Sequence, residues 1–374
     1  MKTSSITAYI QQLCRLGLGG QVIMPELVRV LHELLPSRIN CFLYADQQGQ
    51  LANIYAESSA VFQPGLPSEH EGALVHCLTC QFHKTHCAGL PDKDFFAEAL
   101  KPFNHHFLLN MPVQGQVGIL GAMQLYRCAK EHPSFNLSEQ HQLKLLSSDI
   151  ALGVQSNRNQ RGVFAESGDS AMIVCNRAGK VLYMSRLGED LLFLASHASV
   201  SPDRWSWYSD QEAAGLVSYL CQKLIDSNSS TTAAAGTSDV LQNNWGRFCF
   251  HVDWLQPIFS QHEQRIGITL QRQVPLALRL AEAIHAMPLS PRQKQVCQLM
   301  SYGCSNQSIA DRMKLSAYTI ADYVKAIYEK LEVHNRDELL DRLKAYKRIE
   351  PTLLKIPAKR SFSTICVSKA NILD

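Results

Sequence analysis

The sequence has no run of 18 apolar residues, so it predicts no helix that crosses a membrane. Its N-terminal segment also lacks the compact apolar core and the small-residue cleavage site of a signal peptide, and we therefore expect a cytoplasmic protein. The 12 cysteines are scattered through helix-like and strand-like segments of a 374-residue chain. This distribution favours reduced, buried thiols over the disulfide framework of a secreted protein.

Motifs for catalysis are missing as well. The sequence contains no Walker A loop, no glycine fingerprint for a dinucleotide, no GxSxG elbow and no HExxH pair. It also lacks the pattern of a receiver-domain phosphoacceptor site. We therefore expect a protein that is not an enzyme and that holds no cofactor, apart from the zinc candidate described below.

Charge is sparse, and its sign changes along the chain. Charged residues make up 18% of the sequence, and the net charge is only +3. Residues 285–374 carry a net charge of +6, whereas the rest of the chain carries −3. A basic C-terminal segment on a mildly acidic chain indicates a nucleic-acid-binding module attached to regulatory domains. Within it, residues 346–374 are expected to form a basic, flexible tail.

The first part of the chain predicts a domain of helices and strands. Its elements follow from apolar periods of three to four residues in helices and of two in strands, and they lie over residues 8–35, 39–46, 50–56, 107–114, 117–127 and 139–158. The stretch from Gly17 to Gly20 and Pro25 are expected to break the first helical run into two helices. Ser138 is the candidate N-cap of the last helix. This α+β layout over residues 1–160 resembles a GAF domain, which is a sensor domain.

A second α+β unit is predicted over residues 161–274. It opens with a strand around Val174, a turn that ends at Gly179, a second strand around Leu182 and an amphipathic helix around Leu191. A helix, a low-complexity loop and two further strands follow, over residues 210–227, 227–239, 246–255 and 265–272. The opening strand, turn, strand and helix resemble those of a PAS domain, which is also a sensor domain.

Residues 275–288 predict a helical linker. Its apolar stripe consists of Leu276, Leu280, Ala283, Ile284 and Met287. Two interpretations are open: a connector that packs on its own domain, and a dimer seam that relays a signal. The stripe is shorter than the three or four heptads that identify a coiled coil, so the sequence does not decide between them.

Four short helices are predicted between residues 289 and 345. Their candidate N-caps are Ser290, Ser305 or Asn306, Ser316 and Asn335. Pro291 suits the first position of the first helix, and Gly303 suits its C-terminal end. The apolar positions expected to be buried are Val296, Leu299, Met300, Ile309, Ala310, Met313, Ile320, Val324, Ile327, Leu331, Leu339, Leu340 and Leu343. Two short helices joined by a tight turn, the second with a polar face, are typical of a helix-turn-helix.

The same segment closely resembles the LuxR-type helix-turn-helix family. The matching positions are Leu289, Ser290, Arg292, Val296, Gly303, Ser305, Asn306, Ile309, Ala310, Leu315, Ser316, Thr319, Ile320, Val324, Ile327, Lys330, Leu331, Val333, Asn335 and Arg336. The resemblance implies that the third helix enters the major groove of DNA. It also implies that the module acts as a dimer on inverted half-sites.

The sequence departs from the family pattern at a few positions. Gln293 stands where an acidic residue is usual, Ala321 where Lys is typical, and Tyr323 where His is common. Asp322 adds a carboxylate to the face that would read DNA. A carboxylate is repelled by phosphates but accepts a hydrogen bond from cytosine N4. These departures bear on the DNA site rather than on the fold.

Eight residues are the candidate DNA contacts. Those expected to hold phosphate oxygens are Asn306, Thr319, Lys325, Lys330 and Arg336. Those expected to face base edges are Tyr318, Ala321 and Asp322. The alternative for the three basic side chains is that they are merely solvated.

A dense group of Cys and His residues lies in the segment VHCLTCQFHKTHC. Within it, Cys77, Cys80, His83 and Cys87 are the candidate zinc ligands, because thiolates and imidazoles are the ligands that zinc prefers. No second, separated pair supplies the spacing of a zinc finger or ribbon. The alternative, which the spacing favours, is a helix or loop with free thiols and surface histidines.

Together these features predict a multidomain protein with two α+β sensor domains, GAF-like and PAS-like, followed by an all-α, four-helix LuxR-type domain. The expected function is sequence-specific DNA binding in transcription regulation, controlled by a signal or ligand sensed in the N-terminal domains. One alternative is a constitutive dimeric DNA-binding protein with a purely structural front half. Another is a small-molecule or metal sensor that acts through protein interaction. The expected partners are double-stranded DNA, a second copy of the chain and a small-molecule effector, with RNA polymerase as a further candidate and no membrane.

Overall fold

A computed structural model of the chain describes residues 2–37, 39–47, 51–56, 107–116, 118–127, 132–156, 163–198, 211–228, 236–256 and 264–346. The candidate zinc ligands lie outside these ranges, as does the basic tail beyond residue 346. None of the helices within the described ranges is long and apolar enough to span a membrane.

The N-terminal unit combines helices with an antiparallel sheet. Its elements are α1 (Lys2–Cys14), α2 (Gly20–Leu34), β1 (Ile39–Ala45), β2 (Leu51–Ala56), β3 (Phe107–Gln114), β4 (Ile119–Arg127), α3 (Leu137–Leu145) and α4 (Ser147–Gln155). The four strands pair in the order β2-β1-β4-β3. Helix α2 packs on β1, α4 packs on β3, and α1 packs on both helices. The predicted α+β layout of this unit is confirmed, and all four of its strands lie where the sequence predicts them.

The break between the first two helices is predicted correctly only in part. The chain turns at Gly17 and Gly19, which have φ angles of 72° and 89°, a backbone region that glycine adopts without a steric penalty. Pro25, however, lies inside α2 and is buried. Proline removes the backbone hydrogen bond of its own missing N–H and crowds the carbonyl of Gln21 one turn earlier, and the buried apolar face of α2 offsets these costs.

The long helix predicted from Ser138 is also different. Asn136 is the N-cap instead, because its side chain accepts from Glu139 N at 2.9 Å while the Glu139 carboxylate accepts from Asn136 N at 2.9 Å. This reciprocal pair is a capping box, and it starts the helix before Ser138. Leu146 then separates the helical stretch into α3 and α4.

The second unit is a five-stranded antiparallel sheet with two helices. Its elements are β5 (Phe164–Cys175), β6 (Val181–Met184), α5 (Arg186–Ser196), α6 (Gln211–Asn228), β7 (Thr237–Asn243), β8 (Gly246–Leu255) and β9 (Arg265–Pro275). The strands pair in the order β6-β5-β9-β8-β7. The predicted opening is confirmed, and Gly179 has a φ of 78° in the turn after β5. A Cβ atom at Gly179 would lie 3.0 Å from Ser218 Cα, so this turn also lies close against α6.

The prediction of a low-complexity loop over residues 227–239 is partly wrong. Residues 237–239 belong to β7, where Thr237 pairs with Val252 and Asp239 with Phe250 of β8. Pairing with β8 supplies the backbone hydrogen bonds of this segment, a long-range contact that local composition does not reveal.

A continuous apolar core joins the two sheets. Trp245, which is fully buried, lies between them: its ring centroid is 5.7 Å from that of Tyr55 and 6.4 Å from that of Tyr44. The indole Nε1 donates to His197 O at 2.8 Å, which satisfies the one polar group of this side chain. The two α+β units are therefore packed on each other rather than linked only by the chain.

Helix α7 (Leu276–Ala286) follows β9 directly and connects this body to the C-terminal helices. Its residues Leu278 and Ala281 belong to the core of the two sheets, whereas Leu280, Ala283 and Ile284 belong to a second core formed with the C-terminal helices. The apolar stripe of the predicted linker is therefore covered within the chain. This arrangement supports the connector interpretation, since the stripe offers no seam to a second copy.

Polar contacts hold the C-terminal helices against α1 and α2. The imidazole of His285, in the last turn of α7, stacks on Tyr9 with 3.8 Å between ring centroids. His285 Nε2 lies 3.9 Å from Glu33 Oε2, and Gln12 of α1 donates to Gln298. We call this set of contacts the docking contact. The contact with His285 holds the pKa of Glu33 at about 2, with help from Arg29 and against the effect of burial, which raises it.

Glu33→Gln tests the docking contact together with the ion pair that Glu33 makes with Arg29 at 2.7 Å within α2. Folding lowers the pKa of this carboxyl from 4.5 to about 2, so its contribution to stability is complete above pH 4.5 and is lost as the pH falls toward 2. We expect the change to destabilise the chain at pH 7 by about 1 kcal/mol, a figure reduced for solvent screening because the side chain is 38% exposed. Urea unfolding of wild type and variant across this pH window measures the difference between their free energies of unfolding. This difference should disappear at the acid end of the window.

The matched control is Asp341→Asn, which changes a carboxylate that is 78% exposed and lies away from the docking contact. If the free energies of unfolding of wild type and Glu33→Gln differ by the same amount from neutral to acid pH, the lowered pKa assigned to Glu33 is contradicted.

Candidate nucleic-acid interface

The C-terminal helices are α8 (Pro291–Ser301), α9 (Asn306–Met313), α10 (Ala317–Leu331) and α11 (Arg336–Ala345). Their N-caps are Ser290, Ser305, Ser316 and Asn335, each with a side-chain oxygen that accepts from a backbone N–H of the first turn. All four predicted starts are therefore confirmed. Gly303 has a φ of 81° just beyond α8, as expected for a left-handed C-terminal cap.

The predicted buried face is confirmed at most positions. Those buried are Val296, Met300, Ile309, Ala310, Ile320, Ile327, Leu331, Leu339 and Leu343. Leu299, Met313 and Val324 are only partly buried and pack against this core, and Leu340 is half-buried. These helices therefore enclose one small core, to which α7 adds its apolar stripe.

The turn between α9 and α10 presents the second of these helices to solvent. Tyr318 is 77% exposed, and Ala321, Asp322 and Lys325 are exposed as well. Spacings of three and four residues place these side chains on one side of α10, which we call the polar face of α10. The three residues predicted to face base edges therefore lie on an open helix surface, as the sequence indicates.

A groove runs beside the polar face. It encloses about 680 Å³ and is lined by Asn306, Ala321, Val324, Lys325, Tyr328, Glu329, Glu332, Val333 and His334. It brings Asn306, from the start of α9, next to Ala321 and Lys325 of α10. Burial raises the pKa of the Tyr328 hydroxyl above its ordinary value, so this hydroxyl is a neutral hydrogen-bonding group on the groove wall.

The basic residues predicted to hold phosphates differ from one another. Lys325 is free to meet a ligand, because its side chain is 79% exposed and its Nζ lies 4.0 Å from Glu329 Oε1, a weak contact at the surface. Lys330 Nζ instead donates to Gln293 Oε1 at 3.0 Å. Arg336 is half-buried and donates to the carbonyl of Cys304. The phosphate roles of Lys330 and Arg336 stay predictions, while their visible contacts stabilise the domain.

Gln293 and Thr319 are also engaged within the domain. Gln293 Oε1 accepts from Ser290 N at 2.9 Å, so the glutamine completes a capping box at the position where the family usually has an acidic residue. The Thr319 hydroxyl lies 2.8 Å from that of Ser316. The N-terminal turn of α10 is therefore fixed by its own cap.

Two residues of the domain have left-handed backbone conformations that the sequence does not predict. Lys314 has a φ of 54° after α9, and Glu332 has a φ of 51° after α10. For a residue with a Cβ atom this conformation costs about 1–2 kcal/mol relative to the right-handed helical one. Leu315 N donates to Ala310 O at 3.0 Å, which closes the end of α9 around Lys314. The only signal in the sequence was indirect: a helix end must lie just before the cap at Ser316.

The contact made by Arg336 leads to a stability prediction. Arg336→Ala removes the donor to the Cys304 carbonyl and should destabilise the C-terminal helices by about 2 kcal/mol, the usual range for a hydrogen bond from a charged group. Arg342→Ala, at an exposed position of the same helix, should change stability by less than about 0.5 kcal/mol. Urea unfolding measures both, and equal losses in the two variants would rule out the structural role of Arg336.

Comparison with known proteins agrees with this geometry. The family model described as bacterial regulatory proteins, luxR family, matches residues 287–343. The transcriptional regulatory protein DesR of Bacillus subtilis is 39% identical over 59 residues, which are 16% of this chain and 30% of that protein. The Fimbriae Z protein of Salmonella typhimurium is 38% identical over 63 residues, which are 17% of this chain and 30% of that protein. The chain thus spans less than a third of the length of these relatives.

Solved structures are also similar to this chain. The complex of Vibrio cholerae VqmA with ligand and DNA is 16% identical, and the match covers 47% of this chain and 81% of that chain with a TM-score of 0.21. The family match, the capped helices and the open face of α10 concern the same residues. The C-terminal part of this chain, over residues 287–343, is a helix-turn-helix domain of the luxR family of bacterial regulatory proteins.

Proposed function

We propose that the chain is a sequence-specific DNA-binding regulator of transcription. The polar face of α10 carries this proposal: within a luxR-family domain, it is the one helix surface that combines exposed polar side chains with the position of a recognition helix. The relatives that match this domain include a protein named as a transcriptional regulatory protein. An exposed helix of 15 residues has the length and diameter to enter a major groove.

Within this proposal the polar face and the groove have separate roles. Lys325 holds a phosphate and fixes the position of the domain without choosing a sequence. Tyr318, Ala321 and Asp322 face base edges, where the Asp322 carboxylate accepts from a cytosine amino group and Ala321 leaves room for a thymine methyl. Asn306, at the first position of α9, donates to a phosphate across the groove.

We further propose that the N-terminal units, GAF-like and PAS-like, control the DNA-binding domain. The docking contact supports this proposal, because it places Gln12 and Glu33 of the first unit directly against α7 and α8. A small-molecule effector bound to the front of the chain would act if its affinity differs between docked and undocked states. A purely structural front half is the alternative, and it requires DNA affinity that does not depend on any effector.

Binding as a dimer is part of the same proposal. Helix-turn-helix domains read inverted half-sites as pairs, with the two reading helices about 34 Å apart. The apolar stripe of α7 is covered within the chain, so a second copy would bind another surface. RNA polymerase is the further partner expected of a regulator that acts at a promoter.

Two substitutions on α10 test the roles of its side chains. Lys325→Ala should weaken binding to every duplex by about fivefold at 150 mM salt and lower the slope of log K against log salt by about 0.9, because one phosphate contact is lost. Asp322→Ala should instead change preference at a single base position, by about 1–3 kcal/mol. Selection of bound duplexes from a random library, followed by titration at several salt concentrations, measures both effects.

The matched control is Lys344→Ala, which removes a half-exposed lysine of α11 that lies 3.6 Å from Asp341. Its affinity and salt dependence should equal those of the wild type. Equal effects of Lys325→Ala and Asp322→Ala on all duplexes would contradict the assigned roles. Failure of the wild type to bind any duplex above background at moderate salt would overturn the proposed function.

A further inference from the structure

We propose that Lys314 is a phosphate-contacting residue of this DNA interface, an assignment that rests on the proposed function of the domain in DNA binding. Three observations support it: the backbone conformation of Lys314, the position of this residue in the turn, and the engagement of neighbouring cations.

The backbone of Lys314 is the first observation. Its φ of 54° lies in the left-handed region, which glycine enters without a steric penalty and lysine does not. Its backbone N–H donates to Ala310 and Asp311, so the end of α9 fixes this conformation whatever the side chain. The side chain is exposed, and within the described residues its ammonium group has no hydrogen-bond or ion-pair partner. Within the described residues, no polar contact of the fold therefore requires a lysine here.

The position of Lys314 is the second observation. It stands in the turn of the helix-turn-helix, two residues before the cap at Ser316 and four before Tyr318 on the polar face of α10. In this motif the first helix crosses the DNA backbone while the N-terminal residues of the second reach base edges. A side chain in the turn between them lies at the edge of the groove, where phosphates are the nearest groups. A long, flexible lysine is suited to this contact as a point charge.

The charges of the domain are the third observation. Of the cations assigned to phosphates from the sequence, Lys330 and Arg336 are bonded to Gln293 and to the Cys304 carbonyl. The exposed side of α10 and its end carry the carboxylates of Asp322, Glu329 and Glu332. Of those three cations only Lys325 remains open to offset the carboxylates, beside the exposed Arg312 in the last turn of α9. Lys314 adds an unpaired positive charge in the turn just before the N-terminal end of α10.

Glu332 offers a matched control, because it has nearly the same left-handed conformation with the opposite charge. The test uses the full chain as wild type, Lys314→Gly, Lys314→Arg and Glu332→Gly. Binding to a fluorescent 30-base-pair duplex is measured by anisotropy at several salt concentrations from about 50 to 200 mM, a range over which phosphate contacts dominate the salt dependence. Thermal unfolding checks that each variant is folded.

We expect Lys314→Gly to keep a Tm at or above the wild-type value, since glycine relieves the left-handed strain. Its affinity should nevertheless fall by about fivefold at 150 mM salt, and its salt slope should fall by about 0.9. Lys314→Arg should keep the affinity and slope of the wild type, because the charge is retained. Glu332→Gly should bind as tightly as the wild type or more tightly.

Two results would overturn the assignment while leaving DNA binding intact. One is a Lys314→Gly variant with the affinity and salt slope of the wild type. The other is an equal loss in Lys314→Gly and Glu332→Gly, which would trace the effect to the backbone rather than to the charge. If the wild type itself does not bind the duplex, the proposed function fails and the assignment fails with it.

Discussion

The rest of the structure depends on the burial of α7 from both sides. Seven consecutive residues of this helix, 278–284, are buried, so it has no solvent-facing stripe along its middle. One side completes the core of the two sheets and the other completes the core of the DNA-binding domain. Such a helix must satisfy its own polar groups: Arg279 pairs with Glu282 one turn away and donates to Tyr346 O at 2.9 Å. The two parts of the chain are consequently packed against opposite sides of α7 instead of being joined by a flexible linker.

Features that depend on residues close together in the sequence were predictable, whereas features that depend on residues far apart in the sequence were not. The caps at Ser290, Ser316 and Asn335 were predictable because capping involves residues only three positions apart. The strand over residues 237–243 was not, because it forms by pairing with β8 and its own composition is that of a loop. The reading of Pro25 as a break failed for a related reason: the burial of α2 compensates for a local defect. The stripe of α7 was visible, but only its three-dimensional neighbours decide what covers it.

The candidate DNA interface shows the same division. Exposure of Tyr318, Ala321 and Asp322 followed from the helical period alone. The partners of Lys330 and Arg336 did not, because Gln293 and Cys304 are distant in sequence and near in the fold. Some residues that match the family pattern thus make hydrogen bonds within the domain and stabilise its fold. Matching by sequence identifies the domain, whereas the contacts separate the residues that build it from those left open to a ligand.

The direct passage from β9 into α7 has a mechanical consequence. Pro275 is both the last residue of the strand and the N-cap of the helix, so no flexible residue separates the sheet from the helix that supports the DNA-binding domain. The 11 residues of α7 form a lever about 16 Å long. A tilt of roughly 10° at the strand would move the far end by about 3 Å over that length. A displacement of this size is comparable to the spacing between neighbouring base pairs, about 3.4 Å. A tilt of the sheet edge would therefore be felt at the C-terminal helices as a displacement of about this size.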